Sequence, residues 1–353
     1  MQGVEPLSVL YKGNSVPPPV LPPGTKVAKH KSLYIIVCGY SAAACAIEGD
    51  GVQAAAKALG WSTTKVDGKL NVGNAYVAAF AQAIAAKPSA IVAVGPDCAT
   101  VSNSLKEAKA AGIPTILTLG FDCNDPNNSA VSAPLYTRQL EFLPSAETYG
   151  QEELARNKTI ADYIIDKTNG QAKIIELYYR YQVLGAYEHD GLHDALADCP
   201  GCKVVDEVQY NNDDLAGPAL HQMIAAALAQ HPEANALFYN FSSTAQLGEI
   251  PGAVRAAGRE NNMVVAGGEG AAANLEVVAQ GNGGLTAEAA YSTQWAGWGV
   301  TDELVRLFSG LPAVPEGIGW TMVDATHNLP ATGQNWNPTN INFIADYEKS
   351  WGV

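Results

Sequence analysis

The sequence predicts an α/β fold of two lobes, each built on a doubly wound parallel sheet with helices on both faces. Its 353 residues exceed what one hydrophobic core usually supports, so two domains are expected. Strand candidates such as 33–37 are continuous apolar runs, which are typical of parallel strands buried on both faces. The same order of strands and helices also recurs in the two halves of the chain.

An internal duplication defines these halves. Asp50-Gly51 and Asp190-Gly191 each open a helix, while the Ala-Ala-Gly sequences at 110–112 and 256–258 each end a helix before an apolar strand. Glycine at the end of a helix suits the left-handed conformation that terminates it. Each half therefore reads as strand, helix, strand, helix, strand, which predicts a parallel sheet covered by helices.

The helices between the strands are amphipathic. In the segment 74–86, apolar residues fall at i, i+3, i+4 and i+7, at Val77, Phe80, Ala81 and Ile84. In open sheets of this kind ligands bind beyond the carboxyl ends of the strands. Two halves that face each other at those ends would enclose a cleft.

Composition excludes several classes of protein. Lys and Arg total 21 against 35 Asp and Glu, a net charge of −14 that argues against nucleic acid as a partner. A hydrophobic content of 47% excludes a disordered chain. No apolar run approaches the roughly 20 residues of a membrane helix, and 1–31 lacks the apolar core of a secretory signal. If the protein is exported, its signal has been removed.

Residues 1–31 read as an extended linker. Prolines without helical or strand periodicity occupy this segment, at Pro17, Pro18, Pro19, Pro22 and Pro23. Two interpretations fit this composition. One is a tether from an N-terminal membrane anchor, and the other is a disordered terminus.

Six cysteines predict three local disulfides. Cys199 and Cys202 flank a tight Pro-Gly turn, where a structural disulfide is favoured. The alternatives are a redox site or half of a zinc site, although no second C-x-x-C or His-x-x-His motif accompanies the pair.

The other four cysteines lie near strand ends. Cys98 and Cys123 each follow an apolar strand, and they come within bridging distance if those strands are parallel neighbours. Cys38 follows the first strand and is expected to pair with Cys45 across a short loop. Three bridges would imply an oxidising compartment.

Several segments between Ser32 and about Ala325 carry a family resemblance in their order and spacing. They are the strand 33–37, the Gly49-Asp50-Gly51 helix ending in Leu59-Gly60, and the segments 107–114, 264–269 and 319–323. In this arrangement the chain resembles the type I periplasmic binding proteins, the ribose-binding-like substrate receptors of bacterial ABC transporters. The cysteine elements and the proline-rich start look like an actinobacterial branch of that family.

The resemblance implies a chain that crosses between lobes three times, near residues 146, 290 and 322. The N-terminal lobe would comprise 32–146 and 291–322, and the C-terminal lobe 147–290 and 323–353. It further implies an exported, periplasmic or surface-anchored monomer that closes by a three-strand hinge around a sugar or polyol. Its partner would be an ABC permease, and it would touch the membrane only through an N-terminal anchor. No catalytic residue, cofactor or metal is expected.

Candidate ligand contacts follow the strand ends. A sugar or polyol presents hydroxyls and an apolar C–H face, which carboxylates, amides and aromatic rings complement. The candidates are Tyr40, Ser41, Asp97, Asp122, Arg180, Tyr181, Asn240, Glu269, Gln294 and Trp295. The resemblance matches the family's charged strand-end positions to Asp122 and Glu269, and its strand-end asparagine to Asn240.

The sequence departs from the family pattern in two places. No arginine follows Asp122, and Tyr187 or Glu188 stands where the second lobe often has an arginine. These departures leave open a ligand that is smaller or less polar than a hexose. Each candidate also has a structural interpretation, since strand-end Asp and Asn cap helices and aromatic residues such as Trp295 fill cores.

Rival functions rest on weaker patterns. The segment 268–273 is close to a dinucleotide fingerprint, with Glu288 downstream, but it lies in the last unit of its half rather than at the first strand-to-helix turn. His189 and His193 have the i, i+4 spacing of a zinc pair without the His-Glu-x-x-His glutamate, and a solvated helix face is favoured. A ligand sensor for a membrane receptor is the remaining alternative.

Overall fold

The computed structural model describes residues 3–128, 131–180 and 182–353, and the chain divides into two compact units. Unit I comprises Ser15–Tyr149, Thr293–Ile318 and Pro338–Val353, and unit II comprises Met1–Asn14, Gly150–Ser292 and Gly319–Asn337. Along the chain the elements are α1 (Leu7–Leu10), β1 (Ser32–Val37), α2 (Ala43–Ala58), β2 (Ser62–Asp67), α3 (Ala75–Ala86), β3 (Ala90–Val94), α4 (Cys98–Ala110), β4 (Thr115–Thr118), β5 (Arg138–Gln139), α5 (Tyr149–Lys167), β6 (Lys173–Tyr178), α6 (Val183–Ala197), β7 (Lys203–Gln209), α7 (Asn212–Ala216), α8 (Ala219–Gln230), β8 (Ala236–Phe238), α9 (Ser242–Leu247), α10 (Ile250–Ala256), β9 (Val264–Gly267), α11 (Ala272–Ala279), β10 (Ala287–Tyr291), α12 (Thr293–Phe308), β11 (Trp320–Asp324) and α13 (Phe343–Trp351).

Each unit contains one sheet of the predicted kind. In unit I the strand order is β2-β1-β3-β4-β5, and all the pairs are parallel. In unit II the order is β11-β10-β9-β8-β6-β7, and only the edge pair β10–β11 is antiparallel. The α/β fold class predicted from the apolar runs is confirmed.

Burial on both faces explains why the strands are continuously apolar. In unit II, Ile174 and Phe238 belong to the core on one face of the sheet, whereas their chain neighbours Ile175 and Leu237 belong to the core on the other. Successive side chains of a strand point to opposite faces, so both sets of positions must be hydrophobic.

The helix pair α2 and α12 shows why glycine occurs inside two helices of unit I. A Cβ added at Gly297 would overlap the Glu48 carbonyl oxygen, and one added at Gly51 would lie 2.6 Å from the Gln294 carbonyl oxygen. The two helix backbones therefore approach more closely than any larger residue would allow.

The N-terminal residues differ from the extended linker that we expected. Residues 7–10 form α1, and Leu10 and Leu21 are buried. The Asn14 side-chain oxygen accepts a hydrogen bond from Trp320 N within unit II, and Leu21 N donates to Ser350 Oγ within unit I. The prolines prevent regular structure here, but the side chains and backbone still find packing and hydrogen-bond partners.

The division between units also differs from the expected one. The chain changes unit after residues 14, 149, 292, 318 and 337, and the middle three changes lie close to the predicted crossings. Helix α13 belongs to unit I, not to the second lobe as expected. Its Phe343 stacks on Trp295 and its Trp351 stacks on Trp298, so aromatic packing against α12 fixes its place.

The six cysteines form the three expected disulfides. Cys38–Cys45, Cys98–Cys123 and Cys199–Cys202 have Cα–Cα distances of 5.8, 5.1 and 5.3 Å. Strands β3 and β4 are parallel neighbours, the arrangement on which the Cys98–Cys123 prediction depended. Among the described residues, no helix combines the length and the apolar character needed to cross a membrane.

Candidate functional site

A buried polar cluster in unit II brings together two of the sequence candidates. Asn240 follows β8 and Glu269 follows β9, so both stand at the carboxyl end of the sheet. Around them lie side chains from α5 and α6. We call this group the Arg156 cluster, and its members are Glu152, Glu153, Arg156, Glu188, Asn240 and Glu269, all of them buried.

Arg156 organises the cluster from helix α5. Its Nε donates to Glu152 Oε1 at 3.1 Å, and its Nη2 donates to both oxygens of Glu153 at 2.7 and 2.6 Å. Its Nη1 donates to the Gly268 carbonyl oxygen at 2.7 Å, which connects α5 to the end of β9. The guanidinium is 0% exposed and lies 5.4 Å from the centre of the Tyr291 ring. Such a charge is tolerated inside a protein only with partners of this kind.

Asn240 and Glu188 form the second part of the cluster. Asn240 Nδ2 donates to Glu188 Oε2 at 2.6 Å, and Asn240 Oδ1 accepts from the hydroxyls of Tyr210 and Thr244 at 2.8 and 2.7 Å. Glu188 is only 2% exposed, and its Oε1 has no hydrogen-bond donor among the described residues. One buried carboxyl oxygen therefore remains able to accept a hydrogen bond from a bound molecule.

Glu269 is held by Ser242 at the start of α9. Ser242 N donates to Glu269 Oε2 at 3.1 Å, and Glu269 N donates to Ser242 Oγ at 2.9 Å. Burial raises the pKa of Glu269 to about 7, although the charge of Arg156 opposes the rise. Its carboxyl group therefore accepts hydrogen bonds when ionised and can donate one when protonated.

Burial also raises the pKa of two other carboxyl groups of the cluster. Burial raises the pKa of Glu188 well above its ordinary value, and the charge of Glu153 adds to the rise. Burial also raises the pKa of Glu152, against the opposing charge of Arg156. Carboxyl groups with raised pKa values beside one guanidinium thus offer both acceptors and donors, which is the chemistry that hydroxyl groups require.

The glycine-rich turn after β9 does not have the free amides of a nucleotide site. Gly270 N donates to Glu288 Oε2 at 2.7 Å, and Ala272 N donates to Asn335 Oδ1 at 2.9 Å. A dinucleotide fingerprint needs such amides for its pyrophosphate. Because protein acceptors already occupy them, the geometry argues against the nucleotide-dependent enzyme considered from the sequence.

In unit I, Asp97 stands at the carboxyl end of β3 and before α4. Its Oδ1 accepts a hydrogen bond from Phe121 N at 2.9 Å, and its side chain forms no cap bond with α4. Burial raises the pKa of Asp97 to about 7. The helix-capping interpretation therefore does not account for this half-buried side chain, and its predicted ligand contact stays a prediction.

Asp122, by contrast, has a clear structural role. Its carboxylate accepts backbone hydrogen bonds from Cys123, Leu135 and Tyr136, at distances between 2.7 and 3.3 Å. These bonds tie the loop after β4 to the sheet. Removing this carboxylate would leave three backbone amides without their acceptor. The predicted ligand contact of Asp122 stays a prediction.

The remaining candidates of unit I divide into exposed and buried residues. Tyr40 is 49% exposed, with its hydroxyl donating to the Lys65 carbonyl oxygen, and Ser41 is exposed beside it. Gln294 is half-buried at the start of α12. Trp295 is 0% exposed, and its Nε1 donates to the Tyr347 hydroxyl. Trp295 is thus packed in the core of unit I, in agreement with its structural interpretation, and its predicted ligand contact stays a prediction.

Two candidates follow β6. Arg180 is exposed and donates to Gln209 Oε1 at 2.6 Å, so it pairs with a neighbouring strand residue outside the Arg156 cluster. Tyr181 lies outside the described residues.

Sequence reasoning missed the α5 part of the cluster. Glu152, Glu153, Arg156 and Asn157 are spaced as one polar face of a helix, a pattern that an exposed helix shows equally well. The one available signal was Glu188, noted only as a departure from the family's arginine. A charged cluster of this composition becomes visible only when α5, α6 and the sheet end are placed together.

Comparisons with known proteins agree with this architecture. Residues 34–310 match the family described as periplasmic binding protein domain. Comparison with curated protein sequences gave no match.

Solved structures of similar fold come from several bacteria. An ABC transporter solute-binding protein from Agrobacterium vitis with bound allitol has 20% identity and a TM-score of 0.66, covering 84% of this chain and 96% of its own. Another from the same organism, bound to α-D-tagatopyranose, has 18% identity and a TM-score of 0.69, covering 84% and 95%. The 5-methylthioribose transporter solute-binding protein of Thermotoga lettingae has 16% identity and a TM-score of 0.68, covering 93% and 99%. At these identities the likeness concerns the fold.

Proposed function

Because this chain belongs to the periplasmic binding protein domain family, we propose that it is the extracytoplasmic solute-binding protein of an ABC importer and binds a small hydroxylated solute, a sugar or polyol. The observation that carries the proposal is the Arg156 cluster. At the carboxyl end of its sheet, unit II holds a buried carboxyl oxygen, Glu188 Oε1, with no donor among the described residues. A solute hydroxyl that donates to this oxygen would satisfy it.

The mixed charge of the cluster supports a neutral solute with many hydroxyls. A hydroxyl group donates one hydrogen bond and accepts others, so it is complemented by a site that does both. Ionised carboxylates beside Arg156 accept, while a carboxyl group whose pKa burial raises, such as that of Glu269, is able to donate. An anionic solute would instead be repelled by this concentration of acidic groups.

The similar proteins support the same class of solute. Their bound molecules are allitol, α-D-tagatopyranose and 5-methylthioribose, all of which carry several hydroxyl groups. All three are described as solute-binding proteins of transporters, which favours import over the alternative of a receptor sensor. We propose further that the protein is exported, acts as a monomer, delivers its solute to an ABC permease and leaves the solute chemically unchanged. Hinge closure, membrane anchoring and an actinobacterial origin stay predictions.

A thermal-shift screen against sugars, polyols and amino acids tests the proposal. A bound solute raises the melting temperature because it stabilises only the folded state. We expect sugars or polyols to raise it and amino acids to leave it unchanged. A response to amino acids alone, or to none of the three classes, would contradict the proposed solute.

A matched pair of variants then tests the site by calorimetric titration with the solute that the screen identifies. Glu188→Gln keeps the size of the side chain but replaces a carboxyl oxygen with an amide, and it should weaken binding by about 1–3 kcal/mol. Glu276→Gln makes the same change at an exposed position of α11 in the same unit, and should bind as the wild type does. Equal affinity in both variants would remove the Arg156 cluster from the binding site.

A further inference from the structure

A second group of side chains in unit II suits a different ligand, and the proposed function does not use it. Glu176 of β6 and His189 and His193 of α6 each contribute one atom to a group in which all atoms lie within 4.8 Å of one another. His189 Nδ1 lies 2.8 Å from Glu176 Oε1, and His193 Nε2 lies 3.4 Å from Glu176 Oε2. From the sequence only the histidine pair could be recognised, because the third residue, Glu176, lies on a strand.

These atoms have the types and spacing of a zinc site. Two imidazole nitrogens and a carboxylate oxygen bind zinc at about 2.0–2.2 Å, so tetrahedral ligands lie roughly 3.3 Å apart. The two measured separations fall on either side of that value. The i, i+4 spacing on α6 places both rings on one face of the helix, where the strand carboxylate meets them.

The three residues range from buried to partly exposed, as an accessible metal site requires. Glu176 is buried within the sheet, whereas the His193 side chain is 43% exposed. An ion can therefore reach the three side chains from solvent on the His193 side. The ring of Tyr178 stacks on His189 at 4.6 Å and holds it in place.

The neighbouring strand adds negative charge to the same place. Glu207 of β7 lies directly opposite Glu176 in the parallel register. Like charges opposite each other on neighbouring strands are destabilising. A divalent cation bound beside Glu176 would offset this repulsion.

We propose that Glu176, His189 and His193 bind a divalent transition-metal cation of the zinc class. Imidazole ligands favour zinc, copper or nickel over magnesium and calcium, which prefer oxygen. The ion joins α6 to β6, and it is a site separate from the Arg156 cluster. The other group of this kind in the described part of the chain includes Cys98 and Cys123, whose sulfurs are joined in a disulfide.

Calorimetric titration of the chelator-treated protein with Zn²⁺ alone tests the proposal. We expect the wild type to bind one ion, and Co²⁺ in its place to give the visible spectrum of a site with nitrogen and oxygen ligands. His193→Gln, at a partly exposed position, should fold normally and bind Zn²⁺ at least about tenfold more weakly. Glu176→Gln should show the same loss.

The control is His30→Gln, which removes an exposed histidine elsewhere in the chain and should bind Zn²⁺ as the wild type does. Absence of Zn²⁺ binding by the wild type, or unchanged binding by folded His193→Gln, would overturn the proposal. Solute binding by His193→Gln is a separate readout, so the two proposals fail independently.

Discussion

Replacing Arg156 by methionine should destabilise unit II strongly and in a pH-dependent way. Methionine keeps an unbranched apolar stem but removes the charge that Glu152 and Glu153 share. Breaking a buried ion pair by removing one partner costs about 3–5 kcal/mol, because the other charge stays buried and uncompensated. We expect a loss of this size in the free energy of unfolding at pH 8.

At pH 5 the loss in free energy of unfolding caused by Arg156→Met should be smaller by roughly half. The carboxyl groups can take up protons at this pH once the guanidinium is gone. Burial already raises the pKa of Glu152 and Glu269, so protonation is within reach at this pH. The remaining cost is that of the lost hydrogen bonds, including the one to the Gly268 carbonyl oxygen.

Urea unfolding followed by circular dichroism at both pH values measures this effect. Arg180→Met is the control, because Arg180 is exposed and its loss should change the free energy of unfolding by no more than about 0.5 kcal/mol. If Arg156→Met cost less than about 1 kcal/mol, or the same amount at both pH values, the cluster would not be the coupled buried network described here.

Three further predictions concern stability. Asp122→Ala should lower the free energy of unfolding by about 1–3 kcal/mol in urea titrations, since three backbone amides lose their acceptor; an unchanged midpoint would contradict this role. Gly297→Ala should lower the free energy of unfolding by about 1–3 kcal/mol, because the new Cβ overlaps with α2. Gly252→Ala is the control, since this position in α10 has open space around it, and it should leave the free energy of unfolding unchanged or raise it. Equal effects of the two substitutions would rule out the close approach of α2 and α12. Burial raises the pKa of Asp97 and Glu303 to about 7, above the values in the unfolded chain, so the melting temperature should fall as pH rises from 5 to 8. Glu303→Gln should make this fall smaller in a melting series followed by fluorimetry. A melting temperature that rises with pH would refute the raised pKa values of these two groups.

The sequence predicted those parts of the fold that depend on local pattern. Continuous apolar runs such as Leu33 to Val37 predicted strands buried on both faces, and the repeated strand–helix units predicted two parallel sheets. Cys98 and Cys123 could be paired because each closely follows a strand. By contrast, α13 contacts α12 through aromatic stacking between residues far apart in the chain, and no local pattern indicates which unit such a helix joins.

The candidate site was predicted only where strand ends mark it. Asn240 and Glu269 were identified because parallel strands end at one edge of a sheet. Arg156 was missed because a polar stripe on α5 reads as a solvated face until the buried sheet end is placed beside it. Glu176 was missed as a partner of the two histidines for the same reason, since a strand residue and a helix pair become neighbours only in the folded chain.

A crystal structure of the protein with the solute that the thermal-shift screen identifies would show directly whether the Arg156 cluster binds that solute. We expect a solute hydroxyl at hydrogen-bond distance, about 2.5–3.0 Å, from Glu188 Oε1, with Asn240 still donating to Oε2. A solute bound elsewhere, with Glu188 touching none of its atoms, would contradict it.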